Sequence, residues 1–389
     1  MVTFLIAGGG TGGHVFPMIA VGDAIRAADP GARVVYVGTA RGIEVRVMGE
    51  RGDELELLHI LPLRGVGLSG FARAAVRATR SIPEARRLVQ RSGARAVLSL
   101  GGYAGGPAAL AARTLGVPIA ILEPNSVLGL ANRLLVPLVD RAYTAFPETA
   151  RALRPTTVRR YGVPLRRAFA RAPYAPRASR ASLLVLGGSQ GATALNEVVP
   201  RAIARCRARG VDVDVVHQTG RDREDAVRAL YAGLGVADRA RVVPFIDDVA
   251  VALAAADVVI SRSGASSVAE LCAVGRPGLL IPYPFAADDH QMKNARSLER
   301  AGGALALAQV DATERRVAAE IEALAGDPAR RARMADAAAA QGRPDAAARV
   351  ADDLLALARQ SPRRPLAAWP TLWSGASRRA AARGAEGAR

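Results

Sequence analysis

The sequence lacks most of what a disulfide-stapled, membrane-spanning or metal-clustered protein needs. Its two cysteines, Cys206 and Cys272, stand far apart and make no disulfide framework, so a reducing cytoplasm is the simpler setting. No apolar run reaches the roughly 18 residues that a bilayer-crossing helix requires. No Cys/His spacing fits a structural metal site. Aromatic residues make up 4% of the chain, and the only lysine is Lys293. The amino terminus, Met1-Val2-Thr3-Phe4-Leu5-Ile6-Ala7, has no basic stretch of the kind that opens a secretion signal. It runs straight into glycines, as a first β-strand would.

What the sequence does have is length, apolar content and arginine. At 389 residues it exceeds one ordinary core, and two domains are expected. Half the residues are hydrophobic, which with so few aromatics suits an Ala/Val/Leu-filled α/β protein. The formal net charge is +18, and such an excess calls for an anionic partner: nucleic acid, anionic lipid or a phosphorylated substrate. Compositional bias would explain arginine in place of lysine, but not an excess of bases over acids. The charge is also clustered. Residues 64–95 hold eight Arg and one acid, Glu84; between Glu148 and Glu197 lie nine Arg and no acid. No aromatic platform or nucleic-acid motif accompanies these clusters, so nucleic acid is not the expected partner.

Short, largely non-alternating apolar runs alternate with Ala/Arg-rich helical stretches, the pattern of strands buried on both faces of a doubly wound parallel sheet. In the first half they fall at residues 2–7, 33–37, 55–60, 96–100, 118–122 and 141–145. Prolines at 164, 173 and 176 then mark a linker over 163–180. A second series follows at 182–186, 212–217, 241–245, 257–260, 278–282 and 304–308. This predicts a domain over 1–162, a second over 181–345, a C-terminal helix over 346–360, and a disordered basic tail over 361–389 that carries Trp369 and Trp373.

Both halves open alike, with a strand, a glycine-rich turn and a helix: Gly8-Gly9-Gly10-Thr11-Gly12-Gly13 in the first, Gly187-Gly188-Ser189-Gln190-Gly191-Ala192 in the second. Such turns bring backbone N–H groups and a helix dipole to an anion. The first could also be a dinucleotide fingerprint. A nicotinamide dinucleotide, however, wants an acid after the second strand, where this chain reads Val37-Gly38-Thr39-Ala40-Arg41 and Glu44 comes only later. An NADP-dependent oxidoreductase using Arg41 stays open. Two anion turns in two halves point instead to a ligand in the cleft between them.

Three more stretches carry chemistry. Ser261-Arg262-Ser263-Gly264 leads into a helix holding Glu270, whose carboxylate could accept from two vicinal ribose hydroxyls or simply cap the helix. Asp288-Asp289-His290-Gln291-Met292-Lys293-Asn294 packs polar groups at another helix start. Asp212-Val213-Asp214 is a D-x-D, a pattern that holds a divalent metal in some sugar transferases, but here it sits at a strand start among valines.

Taken together, GGGTGGHVFP at 8–17, GGYAGGP at 101–107, GGSQGA at 187–192, FIDD at 245–248 and the run 263–270 resemble the MurG family, the N-acetylglucosaminyltransferases of peptidoglycan synthesis. The match runs in order from Met1 to about Gln360. The resemblance implies the GT-B fold: two Rossmann-like domains facing across a cleft. It implies transfer of N-acetylglucosamine from its UDP ester to undecaprenyl-pyrophosphoryl-muramoyl-pentapeptide, inversion at the anomeric carbon, and neither cofactor nor obligatory metal. Carried over by motif, Thr11, Gly12 and Gly13 lie near the donor and the acceptor diphosphate. Asn125 and Arg166 match donor-side residues, and Ser189 would contact the UDP phosphates. Ile246 would meet uracil through its backbone. Ala265, Ser266, Ser267, Val268, Ala269 and Glu270 would span phosphate and ribose, and Gln291 would hold the sugar.

The chain departs from the family where Leu122-Glu123-Pro124-Asn125 replaces His-Glu-Gln-Asn and Gly162-Val163-Pro164 replaces Gly-Asn-Pro. A lipid glycosyltransferase of the same fold with another acceptor is the nearest rival. The implied chemistry is a direct displacement, with His14 first in line as general base and Glu123 in reserve. A lipid-anchored acceptor places the enzyme peripherally on the cytoplasmic face of the membrane. There the basic stretch 64–95, with Leu63, Val66, Leu68 and Phe71, would meet anionic headgroups.

Overall fold

The computed structural model describes residues 1–10, 12–40, 42–59, 81–177, 179–188 and 191–360. Thr11, Arg41, Ser189, the apolar stretch 63–71 and the tail at 361–389 lie outside the described residues, and so do the expectations that rest on them.

Two parallel sheets form. The first takes β1 (Thr3–Ala7), β2 (Arg33–Gly38), β3 (Leu55–Leu57), β4 (Ala94–Ser99), β5 (Ile119–Glu123), β6 (Arg141–Thr144) and β7 (Val158–Arg159) in the order β3-β2-β1-β4-β5-β6-β7. The second takes β8 (Ala181–Leu186), β9 (Val213–Gln218), β10 (Ala240–Val243), β11 (Val258–Ser261), β12 (Gly278–Leu280) and β13 (Ala304–Ala306) in the order β10-β9-β8-β11-β12-β13. This is the GT-B arrangement of two Rossmann-like sheets. The strands are buried on both faces: Phe4 and Ile6 enter one core of the first domain, Leu5 and Ala7 the other. That is why the runs read as continuous apolar stretches. Only β7 escaped the sequence pattern, being too short to leave one.

The order reverses between β1 and β4 in one sheet and between β8 and β11 in the other. At such a switch point adjacent strands send their connections to opposite faces, leaving a crevice beyond the carboxyl ends. The turns that follow these four strands are the glycine-rich and serine-rich motifs, so topology alone assembles them in two crevices.

Two features join the parts of this layout. The described residues of the segment 163–180 form no helix or strand, yet the segment is packed: Val163, Leu165 and Phe169 are buried in the second domain's core. The Arg276 guanidinium, buried, donates to the carbonyls of Ala172, Pro173, Leu253 and Ala254. Arg331, also buried, donates to Arg177 O and to Leu324 O. Carbonyl dipoles rather than carboxylates satisfy these two charges, tying the connection to the second domain. The helix Ala346–Ala358 crosses back to the first domain, where Val350, Ala351, Leu354 and Leu357 complete the core beside Phe4, Ile6 and Met18. Asp353 locks it there, accepting from Tyr143 Oη at 2.9 Å and Arg141 Nε at 3.1 Å.

Candidate active site

The first crevice is built on glycine. Gly9 and Gly10 take φ of 132° and 90°, a region closed to side chains. Beneath them lies Glu44, fully buried. Its Oε2 accepts from Gly10 N at 2.9 Å, and its Oε1 accepts from Thr39 N at 3.0 Å and Thr39 Oγ1 at 3.2 Å. A Cβ on Gly9, Gly38 or Gly42 would collide with this carboxylate, so three glycines make room for one acid. The space after β2 where a dinucleotide ribose would lie is thus taken by the chain's own carboxylate, which disfavours the oxidoreductase alternative.

His14 stands in the first turn of the helix Gly12–Ala28, half-buried. Its Nδ1 lies 3.2 Å from Gly9 O. A carbonyl can only accept, so Nδ1 is the donor, and in the neutral ring Nε2 is then the nitrogen able to take a proton. Across the crevice, a Cβ on Gly102 would sit 3.4 Å from Gly9 O and 3.6 Å from His14 Nδ1. The GGYAGGP turn therefore closes against the GGGTGGH turn with the imidazole between them.

Glu123, the reserve base, is placed differently. Its carboxylate is 3% exposed and accepts four bonds: from Asn125 N and Nδ2 at 3.1 and 3.2 Å, Gly129 N at 2.8 Å and Asn132 Nδ2 at 3.0 Å. A carboxylate so occupied organises its loop rather than taking a substrate proton. Asn125 is held from both sides, since its Oδ1 accepts from Asn294 Nδ2 of the second domain at 3.2 Å.

On the facing side, the helix Ala265–Val274 begins without a side-chain cap, and Ser266, Ser267, Ala269 and Glu270 are half-buried while Ala265 and Val268 enter the core. Burial pushes the Glu270 carboxyl up to about 7, partly offset by the nearby Arg166 charge. The Arg166 guanidinium lies 5.6 Å from the ring of Phe16, of the first domain, and 5.4 Å from that of Phe169. It thus bridges the GGHVFP helix and the second domain. Gln291 Oε1 accepts from Tyr283 N at 2.9 Å, and Ser263 Oγ donates to Gln291 O at 2.8 Å. Before the helix His290–Arg300, Asp288 and Asp289 both take positive φ, 52° and 53°. Two consecutive strained residues of this kind are the sort of cost held at functional loops. Ile246 is half-buried after β10 against the second core, and no bond joins it to the others.

The structure therefore gathers His14, Asn125, Arg166, Glu270 and Gln291 at the facing ends of the two sheets. Glu44, Gly102 and Asn294 belong to the same assembly and were missed in the sequence. Gly102 lay in the GGYAGGP motif and Asn294 in the polar stretch 288–294, but the partners that give Glu44 and Asn294 their roles, Gly10 for the one and Asn125, Ser126 and Ser263 for the other, are distant along the chain. The D-x-D is taken up by arginine: Asp212 pairs with Arg239 at 3.0 Å and Arg180 at 3.3 Å, and Asp214 with Arg180 at 3.6 Å. Among the described residues no group of three His, Cys, Asp or Glu is arranged to hold a metal.

Comparison with known proteins agrees with this geometry. The glycosyltransferase family 28 N-terminal domain matches residues 4–144 and the family 28 C-terminal domain residues 182–350. The UDP-N-acetylglucosamine–N-acetylmuramyl-(pentapeptide) pyrophosphoryl-undecaprenol N-acetylglucosamine transferase of Sorangium cellulosum is 76% identical over 380 residues, covering 97% of this chain and 94% of its own. The enzyme of the same name from Acidithiobacillus ferrooxidans is 44% identical, covering 86% and 91%. The crystal structure of MurG from Acinetobacter baumannii is 29% identical with a TM-score of 0.78, covering 92% of this chain and 100% of that one. The kitacinnamycin glycosyltransferase, at 20% identity and a TM-score of 0.67 over 92% and 98%, shares the fold. With both domains matched in order and a full-length relative at this identity, the chain belongs to glycosyltransferase family 28, and within it to the MurG N-acetylglucosaminyltransferases.

Proposed function

We propose that this chain transfers N-acetylglucosamine from UDP-N-acetylglucosamine to undecaprenyl-pyrophosphoryl-muramoyl-pentapeptide, with inversion. The observation that carries the reading is the facing of two half-sites: the glycine turns and His14 on the first domain, the helix of Ala265 to Glu270 and Gln291 on the second. The second domain holds the donor. Glu270 accepts from the ribose hydroxyls, the uncapped first turn at Ala265, Ser266 and Ser267 faces the diphosphate, for which the GGSQGA motif also assigns Ser189, Ile246 borders the base, and Gln291 and Asn125 face the sugar. The first domain holds the acceptor diphosphate at Thr11, Gly12 and Gly13.

The acceptor hydroxyl oxygen attacks the anomeric carbon from the face opposite UDP. The bond from that carbon to the diphosphate oxygen breaks, and UDP leaves with the electron pair. The hydroxyl proton passes to Nε2 of His14, whose opposite nitrogen is already fixed on Gly9 O. Helix N–H groups and Arg166 stabilise the charge that grows on the leaving diphosphate. Glu123 acts at one remove, by holding Asn125.

The acceptor is anchored in lipid, so the enzyme docks peripherally on the cytoplasmic membrane face through the basic stretch 64–95. Within the described part of that stretch, the helix Ile82–Ser92 turns Ala85, Leu88 and Val89 inward and leaves Arg87 and Arg91 outside. No helix among the described residues is long and apolar enough to cross a bilayer. The direct test is to offer labelled UDP-sugars with a polyprenyl-pyrophosphoryl-muramoyl acceptor. Label should enter lipid from UDP-N-acetylglucosamine and not from UDP-glucose; label in lipid from neither sugar would overturn the reading.

A further inference from the structure

Asn294 lies in the helix His290–Arg300 of the second domain and is fully buried. Both ends of its amide are spent, and on different domains. Oδ1 accepts from Ser126 N at 2.9 Å, while Nδ2 donates to Asn125 Oδ1 at 3.2 Å and to Ser263 O at 3.1 Å. Each partner adjoins a binding group. Asn125 N and Nδ2 are fixed by Glu123, and its carbonyl accepts from Thr149 Oγ1 at 2.7 Å. Ser263 holds Gln291 O and leads into the helix of Glu270. We infer that Asn294 is a positioning residue, a clasp that sets the register between the Asn125 loop of the first domain and the Ser263 turn of the second. This rests on the transferase reading above.

The neighbouring contacts cannot do the same work. Ser297 Oγ lies 3.2 Å from the Glu148 carboxylate, and Arg300 also pairs with Glu148. These contacts lie on the rim, where ion pairs are screened and contribute little. A buried amide has no water to compete for its bonds. The chemistry also demands an amide. Two of the three partners are oxygens, Asn125 Oδ1 and Ser263 O, so a carboxylate of the same shape would face both with no proton to give. A leucine would leave Ser126 N unpaired. The clasp therefore transmits position in either direction: a donor that orders Gln291 and Ser263 orders Asn125 as well.

The test uses the full chain with UDP-N-acetylglucosamine and the lipid-linked acceptor. Asn294→Asp and Asn294→Ala should each lower kcat at least tenfold, while UDP affinity by calorimetry stays within twofold and the thermal midpoint shows a folded protein. Asn125→Ala combined with Asn294→Ala should lose no more than the worse single variant, because the two act as one unit. Arg300→Ala should leave kcat within twofold. A residue that only filled the core would instead be rescued by the isosteric Asp and would couple to nothing. Turnover near the parent value in Asn294→Asp, or losses of the pair that multiply, would overturn the clasp. A second readout stands apart from activity: the distance distribution between one spin label on each domain should broaden in Asn294→Asp. If it stays as narrow as the parent's, the clasp is wrong even where the transferase reading holds. If the parent transfers no sugar yet the distribution broadens, the clasp stands and that reading falls.

Discussion

Glu44 Oε2 lies 2.9 Å from Gly10 N, beneath the turn whose carbonyl at Gly9 holds His14. A buried acid thus underpins the glycine-rich turn from behind, and the glycines at 9, 38 and 42 clear its space. Glu44→Ala should destabilise the protein by about 1–3 kcal/mol for each buried donor left unpaired. It should also lower turnover by loosening His14. Urea unfolding and steady-state kinetics check both; a variant of parental stability would mean that the carboxylate does not support the turn.

His14→Ala should lower turnover about 10²–10⁴-fold, the range for removal of a general base, with little change in UDP affinity. His14→Gln, which keeps a donor for Gly9 O but offers no basic nitrogen, should be equally impaired. Near-parental turnover in either variant would remove the imidazole from the mechanism.

The Glu270 carboxyl titrates near 7 because burial disfavours its charge. Its pKa lies above the unfolded value, so its contribution to stability is fully present at low pH and is lost as pH rises through about 7. Glu270→Gln should therefore raise the thermal midpoint of the unliganded protein at pH 8 and leave it nearly unchanged at pH 5. Ribose hydroxyls bond best to the ionised form, so UDP affinity should weaken as pH falls below 7, and Glu270→Gln should flatten that profile. Calorimetry across pH 5.5–8.5 decides; a flat parental profile would detach Glu270 from the ribose.

Deleting residues from 346 onward should unfold the first domain and spare the second, because Val350, Leu354 and Leu357 belong to the first core. Leu354→Ala alone should cost about 2–5 kcal/mol. Limited proteolysis should release an intact fragment beginning near residue 163. Survival of the first domain without the helix would contradict its place in that core.

Flotation with liposomes tests the membrane face. Binding should need anionic lipid and fall with salt, since each base near the surface contributes about 1 kcal/mol. It should drop when Leu68 and Phe71 become Ser. If that double variant floats like the parent while removal of 361–389 abolishes flotation, the tail is the anchor.

The two parallel sheets are legible in the amino-acid order, because strands buried on both faces must be apolar throughout and their glycine turns punctuate them. Most expected runs fall within one or two residues of the observed strands. The family is legible there too, since motifs such as GGGTGGH and GGSQGA are local and read in order. Tertiary structure alone decided which distant groups meet. That Glu44 would serve Gly10, that Glu123 would be consumed by its own loop, and that Asn294 would join Asn125 to Ser263 are choices of long-range partner. A single carboxylate or amide in a polar stretch looks the same whether it faces solvent, substrate or a buried N–H. The last helix shows the same limit: its amphipathic pattern demanded a core to cover, but only the folded chain shows that this core is that of the first domain, more than three hundred residues back at Phe4 and Ile6. Periodicity records how much of an element is buried; the fold chooses against what.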